Sequence, residues 1–286
     1  MGPLLAIFPH PDDETFSSAG IMAAAAERGV PVTVISATRG EAGESSIPGL
    51  DDPERLGIVR ERELRDAMQQ IGVTDVRLLT YRDSGMEGSP EAEHPKALVR
   101  APISDVAGKL VPHIRAVRPQ VVITYGRDGI YGHPDHLHLH YAVLHALEAA
   151  ADPSHKGRAA SEPWQTPLLY FATVPREDML ALVDRPDSPL QSLSLAARAN
   201  LGTPGADITH VIEVGPWAER KRAAITSHRT QTGEGGPLAD MPQEVVDRRL
   251  AREFFVRAPL PWSSGADEEH GESDIITVLA NEQNLE

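Results

Sequence analysis

The sequence predicts an α/β protein: an open, mostly parallel sheet with helices on both faces, in a single domain. Strand-length apolar runs alternate with helix-period segments over most of the chain, and several of the runs are apolar throughout instead of alternating with polar residues. Uninterrupted runs of that kind suit strands covered by helices on both sides, the usual setting of a parallel sheet. In such sheets a ligand binds in the crevice beyond the carboxyl ends of the strands. Residues at strand ends are therefore the ones to watch.

Leu4–Phe8 is the first strand, and Phe16–Arg28 is an Ala-rich helix closed by Gly29, a residue suited to the position past a helix end. Val32–Thr38, rich in β-branched residues, is the second strand. Leu56–Ile71 is an amphipathic, charge-dense helix ended by Gly72. Val76–Tyr81 is a strand, Ile103–Val117 a helix and Val121–Tyr125 a strand. Pro134–Ala150 is a helix with proline in its first turn. Leu168–Val174 and Ile208–Val214 are further strands, and Trp217–Ser227 is a helix. The loops Arg39–Gly57 and Asp83–Pro102 are long, polar and rich in Gly, Pro and Glu, which points to function or mobility. Asp152–Pro167 and the Gly-rich Arg229–Pro242 are surface loops. The domain is expected to fill residues 1–262. A tail over 263–286, acidic at Asp267, Glu268, Glu269, Glu272 and Asp274, is expected to fray, with Ile275–Leu279 able to dock as a strand.

Composition narrows the function classes. The 286 residues carry 27 Lys+Arg and 42 Asp+Glu, a net charge of −15. That balance argues against a nucleic-acid partner or an anionic membrane surface, both of which call for clustered cations. There is no cysteine, so a metal would have to use His, Asp, Glu or water. Met1–Phe8 lacks a basic leader region, and no apolar stretch reaches the length of about eighteen residues that spans a bilayer. A cytoplasmic location is expected. Whether the chain forms a homo-oligomer is left open.

The chemistry concentrates at two strand ends. The first strand runs into His10-Pro11-Asp12-Asp13-Glu14, and the fourth leads to Tyr131-Gly132-His133-Pro134-Asp135-His136. Three successive acids repel one another unless a cation or hydrogen-bond donors offset them. Helix capping accounts for one or two of them, not for the whole run. If both strand ends meet at one crevice, His10, Asp13 and His136 offer two imidazoles and a carboxylate, with a position left for water. That is the composition of a catalytic zinc site, although iron, cobalt or nickel can bind the same set. Asp12 is then placed as general base, and His133 to protonate a leaving amine or hold an oxyanion. Asp135 would orient a histidine through its second nitrogen. His138, His140 and His145 are assigned to surface or core positions. A nucleotide-binding reading requires a glycine-rich turn after the first strand, where this chain has Pro-His-Pro-Asp-Asp. A non-catalytic metal protein would have no use for Asp12.

These two motifs together resemble the LmbE/PIG-L family of zinc-dependent N-deacetylases. The resemblance extends, in order, to Thr38-Arg39-Gly40-Glu41-Ala42-Gly43, Arg60, Arg82-Asp83-Ser84-Gly85-Met86 and Ser227-His228-Arg229-Thr230-Gln231. It implies a Rossmann-like fold and one zinc per chain held by His10, Asp13 and His136, with Asp12 as base and His133 as acid or oxyanion group. It also implies a mobile Tyr131 near the metal, and Arg60 and Asp83 holding a sugar and its inositol partner. Glu41 and His228 are further candidate substrate contacts. The implied reaction is removal of an N-acyl group, acetyl above all, from an N-acetylglucosamine-type small molecule. The alternative is an amidase acting on a thiol-sugar conjugate such as a mycothiol S-conjugate. Members of that kind carry a lysine shortly after the acidic motif, where this chain has Thr15-Phe16-Ser17-Ser18.

Overall fold

The computed structural model describes residues 2–155, 162–183, 198, 201–233, 243–262 and 276. Its centre is a seven-stranded sheet in the order β3-β2-β1-β4-β5-β7-β6. The strands are β1 (Leu4–Phe8), β2 (Val32–Ser36), β3 (Asp75–Leu78), β4 (Val121–Tyr125), β5 (Leu168–Thr173), β6 (His210–Glu213) and β7 (Arg252–Ala258). The five strands from β3 to β5 run parallel, with Leu4 opposite Val32 on one side and Val121 on the other. β7 is antiparallel to both β5 and β6. The expected mostly parallel sheet is present, with one reversed strand near an edge.

The helices are α1 (Asp13–Glu27), α2 (Pro53–Gln70), α3 (Ile103–Val117), α4 (Pro134–Ala151), α5 (Arg176–Val183), α6 (Ala218–Ser227) and α7 (Gln243–Ala251). Successive side chains of a strand point to opposite faces, and β1 divides accordingly. Leu4, Ala6 and Phe8 join the core under α1 and α2, whereas Leu5 and Ile7 join the core under α3 and α4. Leu4, Leu5, Ile7 and Phe8, withdrawn from water, each contribute about 1.5–3 kcal/mol. Helices therefore cover both faces, as the sequence requires.

The departures have local causes. α1 begins at Asp13, three residues earlier than expected, because Thr15 and Phe16 donate their N–H groups to the Asp12 carbonyl. Acids in that first turn also suit the positive end of the helix. β3 ends at Leu78, before Thr80, which has a positive φ of 62°. The loop 83–102 is not irregular throughout but contains two short 3-10 turns, at Pro90–Glu93 and Leu98–Arg100. Likewise, Arg229–Thr232 forms a helical turn in a segment expected to be loop.

Three elements were not expected at all: α5, α7 and β7. In β7 the buried Glu253 replaces an apolar residue, which disguises the strand. Its carboxylate accepts from Lys221 Nζ at 2.7 Å and from the backbone N–H groups of Gly20 and Ile21. The acidic tail residues lie outside the described residues. Ile276, the one described position there, is helical and fully buried in the α1-side core, so a strand at 275–279 is not found at that residue. Among the described residues, no helix is long and apolar enough to cross a membrane.

Candidate active site

β1 and β4 are neighbours, so their carboxyl ends deliver the two motifs to one place. His10 Nδ1 lies 3.3 Å from His136 Nε2 and 3.2 Å from Asp13 Oδ2, while Asp13 Oδ1 is 3.5 Å from His136 Nε2. All three residues are buried. The hydrogen bonds around the rings fix which nitrogens carry protons. His136 Nδ1 donates to the Gly129 carbonyl at 3.0 Å, which leaves Nε2 as a lone pair. His10 Nε2 faces Asp135 Oδ2 at 3.2 Å and Asp83 Oδ1 at 3.4 Å. Both are acceptors, so this nitrogen carries a proton, and with the ring neutral Nδ1 is a second lone pair. In that state two lone pairs and a carboxylate converge.

Such a cluster repels itself unless a cation sits among the atoms. Burial lowers the His10 pKa, but Asp83, Asp13 and Asp135 outweigh it and raise it well above the usual value. That shift records the same demand for positive charge. Asp13 moves the opposite way: its carboxyl, though buried, is held far below the usual range by His136 and His10. The donor set therefore fits a divalent ion with nitrogen and oxygen ligands.

Two other groupings also bring potential ligand atoms together: His10 with His133 and His136, and His10 with Asp83 and Asp135. His133 is poorly suited to be a ligand through Nδ1, because that atom accepts the Asp135 backbone N–H at 3.1 Å and caps α4. Its Nε2–H is thus a donor. Burial, with His10 and His136 nearby, pushes its pKa down to about 3, so the ring is neutral. Asp135 lies behind the cluster, its Oδ2 on His10 Nε2. The Ser84 N–H holds the same Asp135 oxygen at 3.0 Å.

Asp12 occupies the N-cap of α1 but makes no side-chain cap bond. Its φ is 120°, a left-handed conformation that non-glycine residues adopt at an energetic cost, typically at functional sites. The side chain instead meets Arg60 Nη2 at 3.2 Å. Burial pushes the Asp12 carboxyl up to about 6, against the downward pull of Arg60.

The candidate substrate contacts divide. Tyr131 is half-buried, and its ring meets His136 edge-on at 5.0 Å between centroids. The other four are buried and engaged by protein atoms. Arg60 points inward from its charge-dense helix and donates to the Pro11 and Gly40 carbonyls at 2.6 and 2.8 Å. Glu41 is buried too, and its Oε2 accepts the Asp83 N–H at 3.1 Å. Asp83 accepts from Gly85 and Ala42 as well as facing His10. His228 is fully buried with Nε2 at 3.1 Å from Glu14 Oε1.

One member of the cluster escaped the sequence reading. Tyr125, the last residue of β4, donates to Asp13 Oδ1 at 3.0 Å and stacks on His136 with ring centroids 4.7 Å apart. Its position at a strand end was the available signal.

Residues 5–147 match the PIG-L family, described as GlcNAc-PI de-N-acetylase. A relative from Thermomonospora curvata, a 1D-myo-inositol 2-acetamido-2-deoxy-alpha-D-glucopyranoside deacetylase, is 35% identical over 88% of this chain and 89% of its own. Among solved structures, the N,N'-diacetylchitobiose deacetylase of Pyrococcus horikoshii aligns over 91% of this chain and 87% of its own, at 18% identity and a TM-score of 0.64. The 4-carboxy-2-hydroxymuconate hydratase GalB of Pseudomonas putida aligns over 93% and 99%, at 17% identity and a TM-score of 0.60. The last two establish the fold alone, and a deacetylase and a hydratase sharing it show that the fold does not set the reaction. From the sequence match and the shared length, the chain is a member of the PIG-L deacetylase family.

Proposed function

We propose that the protein is a zinc-dependent N-deacetylase acting on an N-acetylglucosamine-type small molecule, with a glucosamine joined to a cyclitol as the preferred class. The observation that carries this reading is the convergence of His10 Nδ1, His136 Nε2 and the Asp13 carboxylate, with the strained Asp12 beside them. In this reading His10, Asp13 and His136 would hold a divalent ion, which would supply Lewis-acid polarisation of the acetyl carbonyl and make water a stronger acid.

The chain's own groups do the rest. Asp12, kept in place by Arg60, takes a proton from the attacking water. His133 Nε2–H donates to the carbonyl oxygen as it gains charge. The proton held on Asp12 then passes to the departing amine, leaving acetate and the free amino sugar. Asp135 keeps the His10 ring aligned. Tyr131, half-buried beside His136, is the candidate to touch substrate. Arg60, Glu41, Asp83 and His228 support these groups from behind. The absence of cysteine is in keeping with a cytoplasmic enzyme.

The test is acetate release from N-acetylglucosaminyl-inositol and simpler N-acetylglucosaminides. Release should stop on chelation and return with zinc. Equal release from metal-stripped protein, or none from any acylated glucosamine, overturns the reading. Running the same assay on thiol-conjugate amides tests the amidase alternative.

A further inference from the structure

A cavity of about 640 Å³ lies beyond the carboxyl ends of β4 and β5, between residues 126–128 and 202–207. It shares no lining side chain with the His10–Asp13–His136 cluster. Its volume is in the range of small-molecule sites, and so is its character: an apolar wall with a few polar groups. Phe171, Leu144 and Val256 supply the wall, and Arg127, Arg176 and His140 supply polar groups.

The polar groups favour an anion. Arg127 is exposed, with no hydrogen bond or ion pair among the described residues. The Arg176 guanidinium is fixed by the Leu201 and Gly202 carbonyls at 3.1 and 3.3 Å, which presets its direction. Two carboxylates also line the cavity. Asp128 is already engaged by the Ile130 N–H and the Thr203 hydroxyl, and Asp207 is exposed. Guanidinium groups are well matched to carboxylate and phosphate oxygens.

The same turn also serves the active site. Gly129, Ile130 and Gly132 all have positive φ, at 55°, 64° and 80°. For a β-branched residue such as Ile130 that conformation is strained. The Asp128 side chain and the Gly202 N–H, which donates to the Ile130 carbonyl at 2.7 Å, hold it there from the cavity side. On the other side the Gly129 carbonyl holds His136, and Tyr131 packs against the same ring. A β-carbon at Gly129 would lie 2.8 Å from His136 Cβ, so the turn and the histidine fit closely.

We propose that this cavity is a second ligand site for a small organic anion, with its apolar body on Phe171 and Val256 and its oxyanion between Arg127 and Arg176. Occupancy is transmitted to His136 and Tyr131 through the strained turn 126–132.

The test is calorimetric titration of the zinc-loaded full chain with phenyl phosphate, phenol and inorganic phosphate. Phenyl phosphate should bind one to one and at least about tenfold more tightly than either fragment. Arg127→Glu, a change at an exposed side chain, should weaken it by about tenfold or more at unchanged Tm. Metal-stripped protein should still bind phenyl phosphate, with an affinity changed by no more than the coupling through the turn allows, a factor of about ten. Equal binding by Arg127→Glu, or binding that disappears with the metal, overturns the proposal, the second result placing the anion at the zinc. Transmission is read separately, as slower amide exchange over residues 129–132 in the wild type and not in the variant. Unchanged exchange despite binding overturns the coupling. None of these measurements depends on deacetylase activity, so the failure of one reading does not conceal the failure of the other.

Discussion

Asp12 combines a left-handed backbone, a guanidinium partner and a carboxyl pushed up to about 6. A residue with only a capping role would not need any of these. Asp12→Ala should retain the metal and lose about 10²–10⁴-fold in turnover; metal analysis and acetate release measure the two, and an unchanged rate removes Asp12 as base. His136→Ala should do the reverse at the first step, lowering metal occupancy, because it deletes one of two lone pairs fixed by outer hydrogen bonds. Full occupancy in that variant would contradict the ligand assignment.

Among the elements, the loop after β2 shows why a motif can contain glycines that touch no ligand. A β-carbon on Gly40 would lie 2.3 Å from Arg60 Cζ, and one on Gly43 would lie 2.3 Å from Arg60 Nη1. Gly40 also has a φ of 70°. Both glycines thus make room for the guanidinium that reaches Asp12. Gly40→Ala should destabilise the protein by about 1–3 kcal/mol and slow turnover through a displaced Arg60. The control is Gly108→Ala, at an exposed position of α3 with nothing near the added carbon. It should be neutral or stabilise by about 0.5–1 kcal/mol. Urea denaturation of both variants checks the pair, and equal losses would refute a specific role for Gly40.

At the scale of the whole molecule, buried charge pairs tie the sheet edge and the helices together. Lys221–Glu253 joins α6, β7 and the middle of α1 at under 3% exposure. Breaking such a pair leaves an uncompensated charge, so Glu253→Gln should cost about 3–5 kcal/mol, read as a fall in the denaturation midpoint. The His228–Glu14 pair links α6 to α1 and adds a pH dependence. Burial lowers the His228 pKa, but the Glu14 carboxylate outweighs it and the net shift is upward from 6.5. A group with a raised folded-state value stabilises fully below its unfolded value and loses that contribution as pH rises through the folded one. The Tm of the wild type should therefore fall relative to that of His228→Gln as pH climbs above about 6.5. Parallel Tm curves would show that the pair is not charged.

The sequence by itself determined the five parallel strands and the two strand-end motifs. Those features are local: apolar runs of fixed length, and chemically unusual residues at their ends. Only the tertiary structure decided that Arg60, Glu41, Asp83 and His228 turn inward to protein partners, that Tyr125 belongs to the cluster, and that β7 exists around a buried Glu253. Each of these depends on a partner distant in sequence. A charged or aromatic side chain reads the same in isolation whether water or a buried counter-group awaits it, and its environment is set only when the strands pair and the loops close.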